Sequence, residues 1–213
     1  MIEWKRMCAV AACMVVACCE VRAADFPLQL KLADHLSSPP QVDAREDLAW
    51  PPSSRKAFIA AIWPHAERAA KKIGVTPHAL AAQAALESGW GKRVARGEDG
   101  QPTYNLFGIK AGPKWDGDRI EVATHEYVHG ARRRKVADFR AYESIGECFE
   151  DYVAMLKANP RYASALRHGG TSRHFAARLQ RAGYSTDPHY AAKIHSIANS
   201  SVVRTNAGKH SSR

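Results

Sequence analysis

Residues 76–91 run from Thr76-Pro77 through an alanine-rich stretch to Glu87-Ser88-Gly89-Trp90-Gly91, and they set a single carboxylate, Glu87, in the last turn of a segment punctuated as a helix. Thr76 is read as the N-cap, Pro77 suits the first helical position, and Gly89 can take the left-handed conformation that ends a helix. A carboxylate in a final turn meets the negative end of the helix dipole, and Trp90 beside it can exclude water. Both effects favour the protonated form. A carboxyl group that keeps its proton near neutrality is suited to general acid catalysis. A surface Glu before a helix stop has the same spacing, so Glu87 acquires meaning only from the rest of the chain.

A second carboxylate, Glu126, lies in a stretch that alternates like a strand, with Glu121, Asp116 and Asp118 as nearby competitors. Glycoside hydrolysis commonly uses two carboxyl groups, one to protonate the departing oxygen and one to stabilise or capture the oxocarbenium-like centre. The same stretch contains His125-Glu126-Tyr127-Val128-His129, the His-Glu-x-x-His spacing of zinc metalloproteases. That chemistry needs both histidines on one turn of a helix. On a strand, residues four apart are roughly 13 Å apart, too far to share one zinc. A zinc protease is the rival reading, and it requires this stretch to be helical.

Several elements must hold these groups. Residues 55–73 have helical composition, with Pro64 expected to kink or split the helix and Gly74 to stop it. The helix carrying Glu87 follows, then a polar loop over 89–101 leading into Tyr104-Asn105-Leu106-Phe107-Gly108. Between 119 and 142 a β-hairpin is expected, with Ile120, Val122, Thr124, Glu126 and Val128 on one face, His129-Gly130 as the turn and 136–142 returning. Ser144 and Glu147 form a capping-box pattern ahead of a helix over 145–158. Asn159-Pro160 opens a short helix ended by Gly169-Gly170, another helix spans 172–182, and Asp187-Pro188 opens a last one to about Ser200. The fold class is therefore α+β, mostly helical, with a small β-hairpin lobe.

The chain has 213 residues, 46% of them apolar, and a formal charge of +10, which argue for one folded domain and against disorder. Residues 1–23 read as a signal peptide: Lys5 and Arg6, an apolar run too short for a stable membrane span, then Val21-Arg22-Ala23 as a cleavage site. They hold three positive and two negative charges, so +9 stays with the mature protein. Val15-Val16-Ala17-Cys18 also matches a lipoprotein signal, which would place a lipid on Cys18. Export to the periplasm or beyond follows from either reading. Cys148 is the one cysteine outside the leader, and its apolar neighbours imply a buried thiol. A basic exported protein suits an anionic wall polymer or lipid head groups. Arg132 to Lys135 lacks the aromatic interleaving of a nucleic-acid site, and nucleic acid is not an expected partner. Residues 24–54 read as a Pro-rich linker, 55–200 as the catalytic domain and 201–213 as a polar tail.

Taken in series, 84–91, 104–110, Glu126-Tyr127, Phe139 to Tyr142, Asn159 to Tyr162 and Ala182 to Tyr190 resemble the bacterial endo-β-N-acetylglucosaminidases of glycoside hydrolase family 73, most closely its flagellar members. The resemblance implies a lysozyme-like catalytic domain that cleaves peptidoglycan after N-acetylglucosamine. It implies Glu87 as general acid, Glu126 as second carboxylate and Tyr184 as a tyrosine near the acid. Trp90, Tyr104, Asn105 and Phe107 would line the sugar-binding floor. It implies no metal and no cofactor, peptidoglycan glycan strands as partner, a monomer, and a cell-envelope assembly as a possible further partner. A wall-binding module without catalysis is the remaining alternative, which retention of Glu87, Glu126 and Tyr184 disfavours.

Overall fold

The computed structural model describes residues 50–128, 131–167 and 170–210. The expected leader with Cys18, nearly all of the expected linker, the expected turn at His129-Gly130 and Gly169 lie outside them. Seven α-helices and one two-stranded sheet are present among the described residues. None of those helices is long and apolar enough to cross a membrane.

Helix α1, Arg55–Ile73, is capped by the Ser54 hydroxyl accepting from the Ala57 amide and ends at Gly74 with φ 69°. It is continuous through Pro64, which therefore does not split it. One face of α1 buries Phe58, Ile59, Ile62, Trp63, Ala66, Ala69, Ala70 and Ile73. The Ala60 carbonyl that loses its donor lies at an exposed position open to water, so burial of that face outweighs the missing bond.

Helix α2, Pro77–Ser88, runs through the centre, packed against α1, α5, α6 and α7. Ala79, Leu80, Ala81, Ala82, Gln83, Ala84, Ala85 and Ser88 are all buried, as expected of a helix apolar all round. Its alanines let neighbouring helices approach closely. Thr76 occupies the N-cap with extended backbone but makes no side-chain cap, and its hydroxyl is buried without a partner among the described residues. The Ala79 amide, which such a cap would use, donates instead to the Thr76 carbonyl (3.0 Å).

Strands β1, Arg119–Val128, and β2, Ala131–Arg140, form the antiparallel hairpin, with Arg119 opposite Arg140 and Glu126 opposite Arg133. The return strand therefore begins earlier than the expected residue 136, and Tyr142 lies beyond it. His125 to Val128 are strand, which removes the helical face a zinc protease needs. The hairpin is tied at its base to the preceding loop: the Arg140 amide donates to the Ile109 carbonyl (3.0 Å) and the Ala111 amide to the Asp138 carbonyl (2.9 Å).

Helix α3, Ile145–Ala158, starts at the expected Ser144 cap, with the return bond of Glu147 shifted one residue from the capping-box position. The Ser144 hydroxyl accepts from the Glu147 amide (3.1 Å), while the Glu147 carboxylate reaches back to the Glu143 amide (2.8 Å). A 3-10 turn, Pro160–Tyr162, leads into α4, Ala163–Arg167; α5, Ser172–Arg181, and α6, Tyr190–Ala198, follow. Residues expected to begin a tail instead form α7, Ser201–His210, whose Val203 is fully buried in the core. Cys148 is buried and receives the Leu106 amide (3.4 Å), and burial pushes its thiol up to about 12.

Candidate active site

The C-terminal end of α2 is an abrupt turn. Gly89, Trp90 and Gly91 take φ of 59°, 62° and 84°, three consecutive left-handed residues. Glycine does this freely, but Trp90 carries strain of order 1–2 kcal/mol. Among the described residues, Tyr104, with φ 47°, is the other non-glycine residue in the left-handed region. Two strained aromatic residues on adjoining loops mark a place where side-chain position outweighs backbone comfort.

Those aromatics form a wall with Trp50 and Phe58. The Trp50 ring meets Tyr104 edge-on at 5.4 Å, and Trp90 meets Phe58 edge-on at 5.9 Å with the Arg55 guanidinium 4.9 Å from its ring centre. Trp50 Nε1 donates to the Gly91 carbonyl (3.1 Å), so residues expected in the linker belong to the folded domain. Gly91 has no room for a side chain: a Cβ there would lie 2.9 Å from the Trp50 ring.

Of the four residues expected on the sugar-binding floor, Trp90 and Tyr104 are partly exposed. Phe107 is buried and stacks on Tyr152 with ring centres 3.9 Å apart. The Asn105 amide is committed to backbone: Nδ2 donates to the Ile109 carbonyl (2.9 Å) and the Arg140 carbonyl (2.8 Å), and Oδ1 accepts from the Ile109 amide (2.9 Å). Asn105 thereby ties the floor loop to the base of the hairpin.

Glu87 emerges half-buried at the end of α2, and burial pushes its carboxyl up to about 7. Two groups oppose that rise: a hydrogen bond from the Tyr190 hydroxyl and the positive charge of Arg93. Arg93 donates to the Leu86 carbonyl (2.5 Å) and the Glu87 carbonyl (3.1 Å), so a cation covers the helix end whose dipole was expected to raise the acid. The surroundings that bury Glu87 include Tyr152 from α3, Tyr184 from the loop before α6, and Tyr190 from the start of α6, each of whose hydroxyls feels the Glu87 charge.

Tyr184 is packed edge-on against Tyr152 (6.3 Å) and Tyr162 (6.0 Å), and its hydroxyl points to the Phe107 carbonyl at 3.5 Å. Beneath Glu87, one turn earlier on α2, Gln83 bridges two tyrosines. The Tyr152 hydroxyl donates to Gln83 Oε1 (2.7 Å), and Gln83 Nε2 donates to the Tyr190 hydroxyl (2.9 Å). Sequence reading named Glu87 and Tyr184 and overlooked Gln83, Tyr152, Tyr190 and Arg93. One signal was present: Gln83 is the lone amide in an alanine run, four residues before Glu87 and thus on its face.

A partly buried carboxyl at the end of a rigid central helix, poised near neutrality and flanked by aromatic rings, can protonate a leaving oxygen and hold a sugar. The hairpin base is fixed by Asp151, whose two oxygens each lie 2.7 Å from Arg140 Nη1; one also receives the Tyr142 hydroxyl (2.7 Å). The Arg140 guanidinium in turn lies 4.3 Å from the Trp115 ring centre.

Comparison with known proteins identifies the family. The glucosaminidase family model, described as mannosyl-glycoprotein endo-beta-N-acetylglucosaminidase, matches residues 63–201. The peptidoglycan hydrolase FlgJ of Escherichia coli (strain K12) is 48% identical over 143 residues, covering 67% of this chain and 45% of that protein. This chain thus spans less than half the length of that curated relative. A solved peptidoglycan hydrolase mutant from Sphingomonas sp. A1 is 46% identical with a TM-score of 0.66, covering 73% of this chain and 99% of its own. A C-terminally truncated glycoside hydrolase domain of Salmonella typhimurium FlgJ is 43% identical with a TM-score of 0.59, covering 72% of this chain and 99% of its own. The mostly helical fold with its small hairpin is the lysozyme-like fold of these neighbours, and the chain belongs to the glucosaminidase family of glycoside hydrolases.

Proposed function

We propose that this protein is an exported peptidoglycan hydrolase that cleaves the β-1,4 bond between N-acetylglucosamine and N-acetylmuramic acid. The observation that carries the reading is the Glu87 carboxyl, held near 7 among tyrosines beside an aromatic wall. Protonated Glu87 donates to the bridging oxygen as the bond to the anomeric carbon breaks. That oxygen leaves as the 4-hydroxyl of N-acetylmuramic acid, and water completes the new reducing end on N-acetylglucosamine. Glu87 recovers a proton from water. At neutral pH a carboxyl near 7 is available in both forms, which suits donation and recovery.

Glu126 on β1 is the proposed second carboxylate. A separation of about 5 Å from Glu87 fits direct attack, and about 6.5–9.5 Å fits activation of a water. A wider gap fits attack by the substrate's own acetamido oxygen, with Glu126 as electrostatic support. Tyr184 orients that acetamido group. Trp90 and Tyr104 offer ring faces to the pyranoses, while Asn105 and Phe107 serve the floor from beneath. The net positive charge suits an anionic wall, and the leader supports a periplasmic or secreted location, as a soluble protein or a lipoprotein held through Cys18.

Clearing of purified peptidoglycan tests the reading. The wild type lowers turbidity, Glu87→Gln loses at least about 100-fold in rate, and a chelator changes neither. A fully active Glu87→Gln protein removes Glu87 from the mechanism, and loss of activity to the chelator would return the metal-dependent alternative.

A further inference from the structure

The tyrosines around Glu87 are joined in a defined direction. An ionised carboxylate only accepts hydrogen bonds, so Tyr190 must be the donor to it. With its proton directed at Glu87, the Tyr190 oxygen is left to accept, and Gln83 Nε2 supplies that bond at 2.9 Å. The Gln83 amide is then oriented with Oε1 toward Tyr152, whose hydroxyl donates at 2.7 Å. Tyr184 meets the Tyr152 ring edge-on at 6.3 Å, with its hydroxyl turned to the Phe107 carbonyl. Reversing any one link requires turning the Gln83 amide over. Gln83 is 1% exposed, so no water substitutes for either bond and the two tyrosine hydroxyls set the sense of the amide.

We propose that Gln83 and Tyr190 are positioning residues for the acid: the one-way chain Tyr152 to Gln83 to Tyr190 to Glu87 keeps a donor on one carboxyl oxygen and favours release of the Glu87 proton. This rests on Glu87 being the general acid. Two consequences follow for catalysis. With one oxygen occupied by the Tyr190 donor, the proton of the neutral acid sits on the other oxygen and is free for the substrate. Burial raises the carboxyl, and the Tyr190 bond partly offsets that rise by favouring the ionised form. Glutamine performs this role because an amide both donates and accepts at fixed ends, which neither a carboxylate nor an apolar side chain of that size can do.

Among the described residues, the charged and titratable groups facing Glu87 are Tyr190 from α6, Tyr152 from α3, Tyr184 from the loop before α6, and Arg93 from the turn after α2. Arg93 acts on Glu87 by charge and bonds to backbone carbonyls, so it is unaffected by changes in the chain.

The test is the pH dependence of initial peptidoglycan clearing at substrate well below saturation, for the wild type, Tyr190→Phe and Gln83→Met. It is read beside a carbon-13 NMR titration of the Glu87 carboxyl in each protein, assigned by its absence in Glu87→Gln. A hydrogen bond to a charged group corresponds to a displacement of about one pH unit or more. Tyr190→Phe is expected to move both the alkaline limb and the carboxyl titration upward by about that much, and Gln83→Met to move them the same way by less. A purely structural role would lower the rate without moving either. An unmoved Glu87 titration in a folded Tyr190→Phe or Gln83→Met protein overturns the proposal. Titration of Glu87 at the ordinary carboxylate value in the wild type does so too, which keeps the question open to measurement if both variants fail to fold. If Glu87→Gln proves fully active, the acid assignment fails, and the titration still decides whether the chain governs Glu87.

Discussion

Glu87→Gln should make the protein more stable at neutral and alkaline pH while it abolishes turnover. The carboxyl is raised from 4.5 to about 7 by burial, so the folded protein holds this proton more tightly than the unfolded chain does. Between pH 4.5 and 7 the folded state binds more protons, and stability falls as pH rises through that window. Below 4.5 the contribution is fully present; above 7 it has been lost. At about 1.4 kcal/mol for each tenfold in proton affinity, ionised Glu87 costs the fold about 3 kcal/mol above pH 7. Glutamine has nearly the same shape, does not ionise, and can still accept from Tyr190. The difference in unfolding free energy between variant and wild type should therefore grow by about 3 kcal/mol from below pH 4.5 to above pH 7. In melting temperature that is about 6–12 °C for a domain of this size. Urea unfolding of both proteins across the range measures it, and the remaining titratable groups, common to both, largely cancel in the difference. Parallel stability curves would refute the reasoning, because they would mean that the fold exerts no force on the Glu87 proton.

Other residues carry separate expectations. Asp151→Ala leaves the Arg140 guanidinium without its carboxylate and frees the Tyr142 hydroxyl, so a loss of about 3 kcal/mol is expected in thermal or urea unfolding; a change within about 0.5 kcal/mol would show that the clamp is idle. Gly91→Ala forces a Cβ to within 2.9 Å of Trp50 at a φ of 84° and should cost about 2 kcal/mol, with wild-type melting contradicting the packing of Trp50 on the domain. Tyr184→Phe keeps the ring contacts, so stability should move by less than about 1 kcal/mol, while the clearing rate drops if the hydroxyl serves the substrate; unchanged turnover would reduce Tyr184 to a packing residue.

Where sequence reading succeeded, local rules acted alone. Pro77 and Gly89 bound α2, Ser144 and Glu147 bound the start of α3, and alternation over 119–128 marked β1, because each feature is decided within a few residues. Thr76 stands at the N-cap as read but makes no side-chain cap, and Pro64 does not split α1, because burial of one helix face outweighs the roughly 3 kcal/mol that an internal proline costs. Helix α7 was read as a tail because its fully buried Val203 stands among polar residues, which leaves too little periodicity to recognise. Glu87 itself was legible, but the cause of its behaviour was not. Dipole and Trp90 were the local candidates. In the fold, Arg93 covers the helix end, Trp90 packs on Phe58 and Arg55, and tyrosines 65, 97 and 103 residues further along the chain surround the carboxyl. Such a cluster is assembled by topology and has no spacing rule.

The most direct test of the central claim is mass spectrometry of the reduced fragments that the mature protein and its Glu87→Gln variant release from purified peptidoglycan. The account predicts new reducing ends on N-acetylglucosamine from the wild type and none from the variant. Reducing N-acetylmuramic acid would contradict the assigned bond, and equal release by both proteins would contradict Glu87 as the acid.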